Sequence, residues 1–258
     1  MKTNIFSVLL LVALLQTGCS SNVQPNICVN NVQQNKQNSN DDSVNLIMDE
    51  VAIADNVYKQ CSKKFMNLIK NPNDKHFFEF ENVFVYADDY SESILFNLAA
   101  ANKLGLGVAK IRVANRLTQS LSNPYIGKHS KEIALFFLKK WASSTKHKRS
   151  KQIIERFELI SADETEFIVP VTTYKSSKIQ CLKAGALKGS TEDYEKLKEI
   201  MSNDEMYAFF LYYAYVMADR YDYEPAKKDV VSIINRFYRD YNLEPIDKDT
   251  QYFCSFFR

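Results

Sequence analysis

From residue 44 to the carboxyl end, apolar residues recur every three or four positions, the spacing of helices with one buried face. The pattern predicts helices over 44–70 (with a break near Asp55), 74–86, 91–104, 108–122, 130–145, 149–160, 175–187, 191–202, 206–221, 225–241 and 249 to the end. Pro72 ends the first, because the residue before a proline is pushed out of the helical region. In 108–122 the apolar stripe is Ile111, Ala114, Leu117 and Leu121, and in 130–145 it is Ile133, Phe137 and Trp141, with Ser130 placed to cap. Between 161 and 173 the period fails. "SADETEFIVPVTT" is acidic, then β-branched around Pro170, and reads as an extended connection. It divides the body into halves at 44–160 and 174–258.

One segment breaks the amphipathic rule. Met206 to Ala218 is a run of thirteen apolar residues, well short of the roughly 20 needed to span a bilayer. It therefore predicts a helix covered by protein on nearly all sides, with the hydroxyls of Tyr207, Tyr212, Tyr213 and Tyr215 reaching a partner or water. Pro225 then opens the following helix, where a missing amide costs nothing.

Composition sharpens the fold class. The 258-residue chain has six glycines, where average usage would give roughly 18. Few tight turns favour an all-α body. The formal charge of +2 gives no field that would recruit nucleic acid. Seventeen phenylalanines and fifteen tyrosines exceed what a lean helical core needs, which marks Tyr212, Tyr213, Tyr215, Tyr221 and Tyr223 as candidate anchors for a protein or peptide.

The halves also align with each other. Residues 101–113, "ANKLGLGVAKIRV", match 218–230, "ADRYDYEPAKKDV", at an offset of 117. Three residues further out of step, "IGKHSKEIALFF" meets "IDKDTQYFCSFF". Agreement in order and helical phase points to a duplication. The turns "KAGALKG" at 183–189 and "ANKLGLGVAK" at 101–110 resemble those of Sel-one-like and tetratricopeptide repeats, with alanines at the close helix contact and a glycine ending one helix. The resemblance implies an irregular α-solenoid over roughly 56–258, a protein-binding architecture.

Before residue 44 the chain changes character. Lys2 precedes "IFSVLLLVALL", an eleven-residue apolar segment of secretory signal type. The following "LLQTGCSS" resembles the lipobox of bacterial lipoproteins, with Gln16 where that family usually carries leucine. The resemblance implies removal of residues 1–18, lipidation of Cys19, and attachment to a membrane that several acyl chains make lasting. Residues 19–43 then supply the lipidated cysteine and a flexible Asn- and Gln-rich tether. With Ser20 after the cysteine, the resemblance implies an outer-membrane location facing the periplasm. Cys28, Cys61, Cys181 and Cys254 allow three disulfide pairings, or free thiols.

Candidate chemistry is thin. "GLG" at 105–107 lacks a preceding strand and a following G-K-[ST], so it reads as a helix turn and not as a phosphate loop. His129 and Glu132 have a possible metal spacing but no second pair, and read as capping and solvation. Acidic groups at Asp88 and Asp89, and at Asp163, Glu164 and Glu166, read as solvated turns. The basic cluster of Lys139, Lys140, Lys146, His147, Lys148, Arg149 and Lys151 reads as a helix end, with lipid headgroups as the sharper alternative. "CSFFR" closes the chain with Phe256 and Phe257, which a truncated helix or a partner would account for. These residues lead us to expect a lipid-anchored envelope protein that binds protein as a scaffold or assembly factor, with no enzymatic activity and no cofactor. An immunity protein that captures a toxin in the periplasm is the alternative within that class, and a helical envelope hydrolase the alternative outside it.

Overall fold

The computed structural model describes residues 58–83, 90–117, 127–145, 150–159, 178–202 and 206–258, all within the unit Asn40–Arg258. Among them are eleven α-helices and no strand, so the fold is all-α. In chain order these are α1 (58–70), α2 (Asp74–Glu81), α3 (Ile94–Asn102), α4 (Gly107–Leu117), α5 (Ser130–Thr145), α6 (Ser150–Glu158), α7 (Lys178–Leu187), α8 (Thr191–Met201), α9 (Tyr207–Asp219), α10 (Glu224–Asp240) and α11 (Lys248–Ser255). A 3-10 turn at Tyr90–Ser93 leads into α3. The signal segment, Cys19, the tether, Cys28, the connection 161–173 and both acidic groups lie outside the described residues.

Local chemistry sets the helix ends. Asn73 caps α2 by accepting the His76 amide at 2.9 Å, Ser190 caps α8 through the Asp193 amide, and Asp247 caps α11 through the Thr250 amide at 2.8 Å. Pro225 stands in the first turn of α10, as expected. The helix foreseen over 91–104 begins later. Ser93 ends the 3-10 turn, and its carbonyl and hydroxyl both accept from the Asn97 side chain.

Two helices form the centre. Every residue of α9 is buried, as the unbroken apolar run requires. The same holds for Ile94–Ala101 of α3, which packs against α9. Phe96 is the hub between them. Its ring lies 5.3 Å from Phe209 on α9, 5.0 Å from Phe65 on α1, 5.4 Å from Phe80 on α2 and 5.0 Å from Phe237 on α10. Burying each such ring contributes about 1.5–3 kcal/mol. The aromatic surplus is thus largely core.

Successive helices pair along the chain, α3 with α4, α4 with α5, α7 with α8 and α9 with α10. Yet α9 also packs on the 3-10 turn and on α3, and α11 packs on α3. Late helices return to early ones, which an open stack of successive hairpins does not do.

The α3–α4 and α9–α10 turns repeat each other at the expected 117-residue spacing. Lys103 and Arg220 donate to Ala99 and Val216, both at 2.9 Å, and Leu106 and Tyr223 donate to Ala100 and Met217, both at 3.0 Å. Gly105 and Asp222 both take positive φ, +72° and +57°. "GLG" is therefore a helix turn.

Other expectations shift in detail. On α4 the buried stripe is Ala109, Val113, Ala114 and Leu117, while Ile111 is half-buried and Leu121 lies outside the described residues. Ile133, Phe137 and Trp141 are buried on α5 as foreseen. Cys61 and Cys254 are buried, Cys181 is half-buried, and no disulfide joins these three.

Gly189 ends α7 with φ +90°, and a Cβ there would stand 2.7 Å from the Tyr221 ring. Alanine would meet left-handed strain as well as that contact, so Gly189→Ala should lower stability by about 1–3 kcal/mol in urea unfolding. An unchanged midpoint would contradict this geometry.

Candidate functional site

A tyrosine in an apolar core must find an acceptor for its hydroxyl, or burial costs about 1–3 kcal/mol. Here the acceptors are carboxylates. Tyr213 donates to Glu92 Oε1 at 2.8 Å and Tyr58 to Glu92 Oε2 at 3.2 Å. Tyr215 donates to Asp219 at 3.1 Å, Tyr207 to Asp240 at 3.0 Å, Tyr194 to Asp229 at 2.7 Å, and Tyr238 to Asp247 at 2.7 Å. Nearer the surface, Tyr223 donates to Glu195 and Tyr252 to Glu132. All but the Tyr215–Asp219 bond, which lies within α9, fasten one element to another.

Two of the acids are themselves buried, and each gathers a cluster. Glu92, on the 3-10 turn, accepts both tyrosines and pairs with Lys183 of α7 at 2.5 Å. Lys183 also lies 5.8 Å from the Tyr213 ring centroid. Asp219, the last residue of α9, accepts the His129 amide at 3.0 Å and the Ser130 hydroxyl at 3.1 Å. It thereby sits at the amino end of α5, where the helix dipole favours an anion. The Ser130 hydroxyl caps no amide of its own helix; it accepts from the Gly127 amide at 2.8 Å. The cap foreseen in Ser130 is supplied by Asp219, 89 residues away.

Electrostatics limits what these groups can do. Burial pushes the Tyr194, Tyr207, Tyr215 and Tyr238 phenols upward, and the neighbouring carboxylates push the same way. They are neutral donors, poorly suited to act as bases or nucleophiles. Burial also raises Asp219, and the bonds from His129, Ser130 and Tyr215 oppose that rise. The Cys254 thiol is pushed up to about 11, chiefly by burial, which keeps it protonated.

The five tyrosines taken from the sequence as partner anchors are distributed differently. Tyr212, Tyr213 and Tyr215 are fully buried, so contact with a partner would require opening the fold. Tyr221 is 37% exposed, but its hydroxyl donates to the Leu187 carbonyl and its ring covers Gly189. Tyr223 packs edge-on against Tyr194. Tyr221 and Tyr223 fasten the α9–α10 turn to α7 and α8. Sequence reasoning passed over Glu92, Lys183 and Asp219. Their partners stand up to 121 residues away, and the one local spacing among them is Tyr215 four residues before Asp219.

Other candidates resolve as joints. His129 packs against Phe256, with centroids 5.0 Å apart, and Glu132 accepts from Tyr252, so both receive α11. Phe257 is buried against Tyr215. Lys139, Lys140 and Lys151 pair with Glu158, Asp249 and Glu155, and Lys146, His147, Lys148 and Arg149 lie outside the described residues. A cavity of about 140 Å³ lies between α8, α9 and α10. Its cations are engaged, Lys198 with Asp229 at 2.8 Å and Arg236 over the Tyr207 ring at 3.9 Å. Among the described residues no cluster of ligating side chains could hold a metal ion, and no helix is long and apolar enough to cross a membrane. Comparison with protein-family models, curated proteins and solved structures finds no match.

Glu92→Ala would take the carboxylate from half-buried Lys183 and an acceptor from the buried Tyr213 hydroxyl, a loss of about 1–3 kcal/mol. Adding Lys183→Met should recover part of it, and a loss below about 1 kcal/mol in urea titration would contradict the cluster. Because Asp219 is raised in the folded state, its contribution is complete below the unfolded pKa and declines as pH rises through the folded value. Wild type should therefore lose stability relative to Asp219→Asn as pH rises from the ordinary aspartate range, then level off. A relative gain would contradict the assignment.

Proposed function

We propose that the chain is a lipid-anchored protein of the bacterial cell envelope whose helical body binds other proteins there, as a scaffold or assembly factor. Cys19 carries the lipid, residues 20–43 hold the body off the membrane, and the anchor lies in the outer membrane facing the periplasm. What supports the binding reading is the use made of the buried polar groups. Glu92, Asp219, Ser130 and the tyrosines around them fasten helices to one another, which makes a firm body that acts through its outer surface. Large apolar side chains left exposed on α1 and α2, Met66 and Phe78, are groups that a partner would cover.

The test is crosslinked capture from intact envelopes by the tagged protein, beside Cys19→Ser, with an alkyne-labelled fatty acid to report lipidation. The wild type should take up label, fractionate with membranes and enrich one partner that rebinds when purified. Cys19→Ser should lose the label and the membrane association. Label that persists without Cys19, or a purified partner that does not rebind, would contradict the proposal.

A further inference from the structure

We infer that the described body is a single-chain pair of equivalent units, fastened crosswise about an approximate two-fold axis. Two junctions at equivalent positions carry the inference. Asn102 ends α3, and its side-chain amide donates to the Thr250 hydroxyl at the start of α11, 3.0 Å away. Asp219 ends α9, and its carboxylate accepts the Ser130 hydroxyl at the start of α5, 3.1 Å away. Asn102 and Asp219 stand 117 residues apart, and Ser130 and Thr250 stand 120 apart, the two offsets of the internal match. The first unit's hairpin holds the second unit's third helix. The second unit's hairpin holds the first's.

Burial agrees position by position. Ala101 and Ala218, Ala109 and Ala226, Val113 and Val230, Ser130 and Thr250, Ile133 and Phe253, and Phe137 and Phe257 are all buried. Lys110 and Lys227, and Phe136 and Phe256, are half-buried. Where α5 meets α11, the equivalent residues Glu132 and Tyr252 bond each other at 3.1 Å. Contact between a residue and its own counterpart is what a two-fold axis requires. On either side, His129 meets Phe256 and Lys140 meets Asp249, an antiparallel crossing centred on that pair. A linear stack has no such reciprocity, because each unit touches only its neighbours in order. The units are unequal in one respect. α5 also lies along α4, whereas α11, half the length of α5, meets α10 mainly through Tyr238.

Crosswise fastening means that neither half is complete alone. A specific protease site placed within 161–173 of the full chain allows the two pieces to be cut apart in the native state. The pieces should co-elute at the intact size on a native column and unfold in one transition. The midpoint, independent of concentration before cleavage, should fall on dilution afterwards, because unfolding has become dissociation. If the inserted site prevents folding, co-expression of 1–165 with 166–258 replaces it and should give the same complex. Pieces that part on the column would overturn the inference. So would two transitions with a concentration-independent midpoint, the behaviour of a stack in which one half stands alone.

Discussion

A helix surrounded by protein can bury tyrosines only if each hydroxyl meets an acceptor that is itself held in place. This constraint organises the whole body. α9 carries Tyr207, Tyr213 and Tyr215 into the core, and the carboxylates that receive them come from the 3-10 turn, from the end of α9 itself and from α10. Glu92 and Asp219 then need further donors, which Lys183, Tyr58, Ser130 and the His129 amide provide. Charge-assisted bonds of this kind contribute about 1.5–3 kcal/mol each and demand fixed geometry. They set where neighbouring helices begin and end, while the rings around Phe96 supply most of the burial.

Much of this was legible in the sequence, and the rest was not for physical reasons. The burial of 206–218 followed from an apolar run too short for a membrane. The ends at Pro72 and Pro225 followed from backbone restriction, and the α5 face from simple periodicity. The second central helix, α3, was harder to see, because Asn97 interrupts its apolar run, and that side chain bonds back to Ser93. Tyr213 and Tyr215 read as anchors for a related reason. A buried tyrosine with a carboxylate partner and an exposed one awaiting a binding partner have the same sequence, and only the position of Glu92 or Asp219 distinguishes them.

The match of 101–113 with 218–230 was visible as a faint agreement in register, but the geometry of those turns was not. Turn bonds that agree within 0.1 Å at Ala99 and Val216, and at Ala100 and Met217, give the match physical content. The inferred crosswise junctions at Asn102 and Asp219 account for the return of late helices to early ones. As the aromatic surplus is absorbed by the core and its joints, the proposed role at the envelope rests on the outer surface of α1 and α2 and on the segments before residue 58.

The central claim is that α3 and α9 form one enclosed pair, tied by the Tyr213–Glu92 bond in the turn that leads into α3. Native-state hydrogen exchange on the full chain tests it directly. Amides of 94–101 and 207–219 should exchange last and together, at the free energy of global unfolding, and both should exchange sooner in Glu92→Ala. Exchange in 207–219 as fast as in the surface helix 150–158 would contradict the account.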